Sequence, residues 1–273
     1  MTTTIFFHAH PDDEAIFTGG TIARLADAGH RVLVVFATSG EMGLGAGPAL
    51  AETRRTEARV SCALLGAERP LFLDHVDSGF SVAGAERPSG AFVDVRVDRA
   101  ARQLATIADA EGADALVTYD RGGIYGHADH VHAHDVGRVA AAMAELPTWY
   151  ESTVDREHLH FVDAHVAAEA GRQLSRDEAQ EMPAVGLPTV EISTTIDVRA
   201  ALARKIRAIG AHRSQVGPDP TFGAGDGFHE VYGLEWYVRH GRRAALDDLE
   251  LVRPGPAGAA PPALRRAATG ATA

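Results

Sequence analysis

Short, unbroken apolar runs alternate with stretches of helical period through the first two hundred residues, and this alternation limits the possible folds more than any other feature. Thr4–Phe7, Arg31–Ala37, Leu71–Leu73 and Ala115–Tyr119 carry their apolar side chains consecutively. A strand with one face in water alternates, whereas one covered on both faces does not, so these runs read as parallel strands inside a layered fold. Helices are expected between them. The first, roughly Glu14–Ala28, has Ile22, Leu25 and Ala26 on one stripe and stops at Gly29; the second ends at Leu65 before Gly66. The third sets Val97, Ala101, Leu104 and Ala108 on one face. The fourth follows His130 and sets Val136, Val139, Ala140 and Met143 at i, i+3, i+4 and i+7. Such alternation implies βαβ units in an α/β fold, Rossmann-like and doubly wound around a mostly parallel sheet.

After Pro147 the order loosens into a C-terminal α/β extension. Thr148–Val154 and Val190–Ile196 read as strands, and Asp197 as the N-cap of a helix through Ala211. Residues 155–188, with a helix near Ala164–Leu174, read as an insertion over the site. Residues 1–253 are expected to form a single domain, and the Ala/Pro/Gly-rich tail 254–273 to be disordered.

Composition excludes several classes of function. The chain of 273 residues carries a net charge of −11. Non-specific nucleic-acid binding depends on neutralising phosphates, so no nucleic-acid partner is expected, and anionic lipid would repel the same surface. No apolar run approaches the ~20 residues of a membrane span, so membrane insertion is not expected. Met1–Thr4 is polar and leads straight into a strand, which does not resemble a signal peptide; the expected location is cytoplasmic. Cys62, the one cysteine, excludes an intramolecular disulfide, and its apolar neighbours suggest a buried thiol. Acidity of this kind suits a monomer or a homo-oligomer equally. Lys205 is the one lysine.

Two clusters carry the chemistry, and each follows a predicted strand. Ala9-His10-Pro11-Asp12-Asp13-Glu14 follows the first; Tyr125-Gly126-His127-Ala128-Asp129-His130 follows the fourth and a loop with Gly122 and Gly123. Ligands of open α/β sheets bind beyond the carboxyl ends of the strands. His10 and Asp13 can converge on one cation across a strand-to-helix turn, and either His127 or His130 can add a third ligand. Two histidines and a carboxylate leave a position for water, the arrangement of a catalytic rather than a structural zinc. Such a site lowers the pKa of bound water towards ~7 and polarises a carbonyl. Asp12 is left over to take the proton, and Asp129 to hold the non-ligating histidine in one tautomer. Taken singly, the first cluster is equally a turn with an aspartate N-cap, and the histidines from His127 to His134 a solvated helix start. Their joint position at two strand ends of one sheet favours the metal site.

AHPDDE and YGHADH, as a pair, resemble the PIG-L/LmbE-like family of zinc-dependent de-N-acetylases, which includes N-acetylglucosaminylphosphatidylinositol deacetylase and the mycothiol- and bacillithiol-pathway deacetylases. The resemblance runs from about Ile5 to Val238. Arg54-Arg55-Thr56-Glu57, Asp77-Ser78-Gly79, Val117-Thr118-Tyr119-Asp120, Lys205 and Ala211-His212-Arg213-Ser214-Gln215 extend it, while Ala128 stands where many relatives carry proline. It implies His10, Asp13 and His130 as ligands of Zn2+, with Fe2+ or another divalent ion as alternatives. It further implies Asp12 as general base, His127 as oxyanion stabiliser and general acid, and Tyr125 as a mobile donor to the same oxyanion. Arg54 and Asp77 match positions that contact the sugar; otherwise Arg54 and Glu57 would form a surface pair and Asp77 a turn. His8 is expected to be structural, and His132 and His134 to lie behind the site or on the surface.

The expected activity is hydrolysis of an N-acyl group, above all N-acetyl, from a small-molecule amino sugar such as an N-acetylglucosaminyl-inositol or a related glycoconjugate. Mycothiol S-conjugate amidase or natural-product N-deacylase are alternatives on the same scaffold. Phe17 stands where the amidase branch tends to carry lysine, which favours the deacetylase. A non-catalytic sugar- or nucleotide-binding protein would lack a base or ligand, and none is missing; the first βα turn also lacks G-x-G-x-x-G. An iron oxygenase shares the ligand types, but Asp12 beside them favours hydrolysis. The segments Glu41–Leu50, Phe80–Val93 and Asp155–Pro188 are expected to set specificity.

Overall fold

The structure is a computed structural model that describes residues 1–80, 87–169, 185–216 and 231–250. The predicted alternation produces β1 (Thr3–His8), α1 (Asp13–Asp27), β2 (Arg31–Thr38), α2 (Pro48–Leu65), β3 (Leu71–His75), α3 (Val97–Glu111) and β4 (Ala115–Tyr119). A helical turn α4 (Gly123–Gly126) leads into α5 (Ala128–Met143), and β5 (Thr148–Thr153) into α6 (Arg156–Glu169). Then come β6 (Thr194–Asp197), α7 (Leu202–Ile209), α8 (Arg213–Val216) and β7 (Leu234–Gly241).

The sheet order is β3-β2-β1-β4-β5-β7-β6. The first five strands are parallel, as their unbroken apolar runs require, and β7 pairs antiparallel with both β5 and β6. Successive residues of β1 point to opposite faces. Phe6 joins Ile22, Phe36, Cys62 and Tyr237 in the core under α1 and α2, whereas Ile5 and Phe7 join Leu104, Leu116 and Val136 under α3 and α5. Cys62 is fully buried. Helix α1 presses on the segment after β6 so closely that a Cβ on Gly20 would lie 2.3 Å from the Val198 Cβ.

The C-terminal third departs from expectation. Strand β7, inserted between β5 and β6, has no counterpart among the predicted strands, because Leu234–Gly241 lacks a continuous apolar run. Residues Thr189–Glu191 form a 3-10 turn with Val190 91% exposed, so only Thr194–Asp197 of the expected Val190–Ile196 strand reaches the ladder. The helix expected from Asp197 opens as a 3-10 turn at Arg199–Ala201 and becomes α-helical at Leu202. Helix α6 starts earlier than the helix expected near Ala164–Leu174, whose end lies outside the described residues, as do the whole of the expected tail and residues 81–86 and 170–184 of two expected specificity segments. Helix α5 starts at Ala128, so His130 lies on it rather than before it.

Candidate active site

Strand order reverses between β1 and β4, which is the switch point of a doubly wound sheet, and both chemical clusters leave the sheet there. The His10 and Asp13 side chains come from the turn after β1 and the start of α1. Asp13 Oδ2 lies 3.4 Å from His10 Nδ1 and 3.3 Å from His130 Nε2. Atoms bound at about 2.1 Å to one tetrahedral ion stand about 3.4 Å apart, so Asp13 Oδ2 lies at the spacing of co-ligands from each of the two histidines. The second nitrogen of each histidine is held as well. His10 Nε2 lies 3.2 Å from Asp129 Oδ2 and 3.4 Å from Asp77 Oδ1, and His130 Nδ1 lies 3.3 Å from the Gly123 carbonyl. Donation there leaves a lone pair on the nitrogen that faces Asp13. His130 Nε2 is buried and has no hydrogen-bond partner, as befits an atom whose partner is a cation. The residues therefore fit a divalent metal.

Gly123 holds its loop against α5 at φ 64, where a Cβ would come within 2.8 Å of His130 Cβ and Val131 N. Asp120 fixes the same loop, its carboxylate accepting from Gly122 N at 2.8 Å, Ile124 N at 3.0 Å and the Thr153 hydroxyl at 2.5 Å. Tyr119 was not anticipated as a site residue. Its hydroxyl donates to Asp13 Oδ2 and accepts from Ala9 N, both at 2.7 Å, and its ring stacks on His130 at 4.1 Å. A tyrosine at the end of a fully buried strand was the available signal, since a buried hydroxyl needs a partner.

Asp12 occupies the N-cap position of α1 but makes no side-chain cap bond. Its φ of 105° is in the left-handed region that favours glycine, and its carboxylate lies 3.1 Å from Arg54 Nη2. Arg54 is buried and does not pair with Glu57; it also donates to the carbonyls of Gly40 and Pro11. Glu57 instead accepts from Ser214 N at 2.8 Å and the Ser214 hydroxyl at 2.6 Å. Asp77 is likewise buried: its carboxylate accepts from Met42 N at 3.1 Å and Gly79 N at 2.8 Å and faces His10.

Asp129 departs from the expected arrangement. Its carboxylate faces His10 and accepts from Ser78 N at 3.0 Å, not from His127, because its position on α5 turns it toward β1 and the Asp77–Ser78 turn. Its backbone N–H donates instead to His127 Nδ1 at 3.1 Å. The His127 proton therefore sits on Nε2. His10, His127 and His130 each offer a nitrogen within 4.8 Å of the others, a grouping that could itself hold a metal ion, as could His10, Asp77 and Asp129. Asp12, Arg54, Asp77, Tyr125, His127 and Gln215 line an open cavity together with His10 and Asp13. His8 and His134 point elsewhere, to Thr18 Oγ1 and the Tyr119 carbonyl at 3.0 Å each, and His132 packs on Phe92.

Burial and the neighbouring Asp13 charge push the Asp12 carboxyl up to about 7, with Arg54 opposing. Burial alone would raise Asp13 too, but His130 and His10 hold it well below the usual carboxylate range. Burial together with the adjacent His10 and His130 lowers His127 to about 4, so its imidazole is neutral near pH 7. Burial raises the Tyr125 hydroxyl, which keeps its proton.

No helix among the described residues is long and apolar enough to cross a membrane. The family profile described as GlcNAc-PI de-N-acetylase (PIG-L) matches residues 5–141. A 1D-myo-inositol 2-acetamido-2-deoxy-alpha-D-glucopyranoside deacetylase of Actinosynnema mirum is 37% identical over 228 residues, covering 78% of this chain and 80% of the relative. Among solved structures, N,N'-diacetylchitobiose deacetylase from Pyrococcus horikoshii aligns with a TM-score of 0.59 at 21% identity, covering 88% of this chain and 84% of that one. GalB, a 4-carboxy-2-hydroxymuconate hydratase from Pseudomonas putida, aligns at 0.55 and 16% identity, covering 89% and 98%. At those identities the structural likeness concerns the fold, while the sequence match extends through both motifs: this chain belongs to the PIG-L, GlcNAc-PI de-N-acetylase family.

Proposed function

We propose that the chain is a metal-dependent amide hydrolase that releases acetate from a small N-acetylated amino sugar, with an N-acetylglucosaminyl-inositol as the leading substrate, in the cytoplasm. The relatives' activity supports the substrate class. The observation that carries the reaction type is the Asp12 carboxylate, which lines the same cavity as His10 and Asp13, where Asp13 Oδ2 stands at co-ligand spacing from both His10 and His130.

In this reading His10, Asp13 and His130 hold the ion, Zn2+ in the first instance. Bound there, a divalent cation polarises the amide carbonyl and makes a water more acidic. Asp12 accepts the proton of the attacking water and can return it to the departing amine. Neutral His127 presents its Nε2–H to the developing oxyanion, held in that tautomer by the Asp129 backbone. This favours the oxyanion role of His127 over the acid role. Tyr125, 43% exposed at the rim, supplies a second donor. Asp129 and Asp77 orient His10. Arg54 restrains Asp12 in addition to any contact with the sugar.

The test is amine release from a panel of N-acetylglucosaminides, including the inositol conjugate, by zinc-loaded protein and its Asp12→Asn variant. Turnover that falls about 10²–10⁴-fold in the variant is expected. Stoichiometric zinc without turnover of any member would sink the amino-sugar assignment, and absence of zinc binding the reaction type.

A further inference from the structure

The peptide group that carries Asp12 is clamped at both ends. Arg54 donates to the Pro11 carbonyl, and the Asp12 N–H donates to Glu14 Oε2 at 2.9 Å. Glu14 is fully buried, and its other oxygen is held from two distant elements. The Ser61 hydroxyl of α2 donates to Glu14 Oε1, and His212 Nε2, from the segment before α8, lies 2.7 Å from it. His212 and Ser61 are also fully buried. A non-glycine residue at φ 105° persists only where its surroundings over-determine the conformation. Here the determining contact is an acceptor fixed behind the turn.

We propose that Glu14 is a positioning residue for Asp12: braced by Ser61 and His212, it holds the Asp12 N–H, and so the left-handed backbone, in the orientation that turns the Asp12 carboxylate into the cavity. This rests on the reading of Asp12 as the base. Glu14 touches neither the cavity nor the three ligand atoms. Its effect reaches the reaction through the Pro11–Asp12 peptide. The late segment matters for the same reason: His212 N-terminally flanks α8, whose Gln215 lines the cavity and accepts from Leu44 N at 3.0 Å. One short element thus fixes both the base and the cavity wall.

The experiment compares Glu14→Met, which removes the acceptor at similar volume, with Glu14→Gln, which keeps an amide oxygen for the Asp12 N–H. Each is assayed as zinc-loaded protein for kcat and KM, with zinc stoichiometry and chelator competition measured separately. We expect Glu14→Met to lose about 100-fold in kcat, with KM and zinc affinity within about two-fold, and Glu14→Gln to retain kcat within about five-fold. In an Asp12→Asn background Glu14→Met should cost nothing further, because the two act as a unit. Glu14→Met strands the buried Ser61 and His212 donors, so Glu14→Met/Ser61→Ala/His212→Leu provides a variant in which both of those side chains are apolar; the same kcat loss is expected of it. Wild-type kcat in Glu14→Met, an equal loss in Glu14→Gln, a loss of zinc affinity that accounts for the kcat change, or full additivity with Asp12→Asn would each overturn the proposal. An active Asp12→Asn would overturn the base assignment itself, whereas an inactive Asp12→Asn beside an active Glu14→Met would overturn only the positioning role.

Discussion

Lys205→Met removes the chain's one lysine, and the structure sets the size of the effect. Lys205 Nζ lies 2.7 Å from Glu235 Oε1, and both side chains are 2% exposed. Removing one partner of a buried pair leaves the other charge uncompensated, at about 3–5 kcal/mol. Glu235 would keep three donors, Gly20 N and Thr21 N at 2.8 Å each and the Tyr237 hydroxyl at 3.2 Å. Those bonds to the carboxylate place the loss at the low end, about 3 kcal/mol, while methionine preserves the packing of the stem. That is a large part of the 5–15 kcal/mol typical of a domain. Urea denaturation at pH 7 should show the midpoint falling with an unchanged slope, and a thermal scan a drop of about 6–12 °C. Lys205→Met/Glu235→Gln, which removes the stranded charge, should recover at least about 1 kcal/mol. A loss below about 1 kcal/mol for Lys205→Met, or no recovery in the double variant, would refute the reasoning.

Three further outcomes follow from the same contacts. Gly20→Ala drives a Cβ into Val198, and should cost at least about 2 kcal/mol in the same denaturation assay; a neutral result would mean that α1 does not pack as described. Arg54→Gln should lower kcat by at least about ten-fold with little change in KM, since Arg54 is bonded to Asp12 and the Pro11 and Gly40 carbonyls. A KM effect alone would make it a substrate contact only. His130→Ala should reduce zinc retention after gel filtration by at least about ten-fold, with secondary structure by circular dichroism unchanged; full retention would remove His130 from the ligand set.

Much of the first half of the fold was legible. The continuous apolar runs of β1, β2 and β4 identify parallel strands because burial on both faces suppresses alternation. The motifs lay at strand ends, and that alone placed His10, Asp13, His127 and His130 together. Strand β7 was not legible, since its glutamate, tryptophan and arginine fit no simple pattern and its place between β5 and β6 depends on pairing partners far along the chain. Asp129 shows the same limit within a motif. Two residues from His127, it was expected to hold that ring; the pitch of α5 directs its carboxylate to His10 on another element.

The sequence by itself determined the fold class, the family and the residues at which the two motifs meet, because periodicity and short motifs are encoded over a few neighbouring positions. Only the tertiary structure decided which atoms those residues offer: Tyr119 on Asp13, Asp129 on His10, Glu14 under Asp12, and Glu235 beneath Lys205. The Tyr119 and Asp129 contacts join residues more than a hundred positions apart, and Glu14 is itself held by His212 from the far end of the chain. Buried polar groups must find partners in three dimensions, and no local spacing says which.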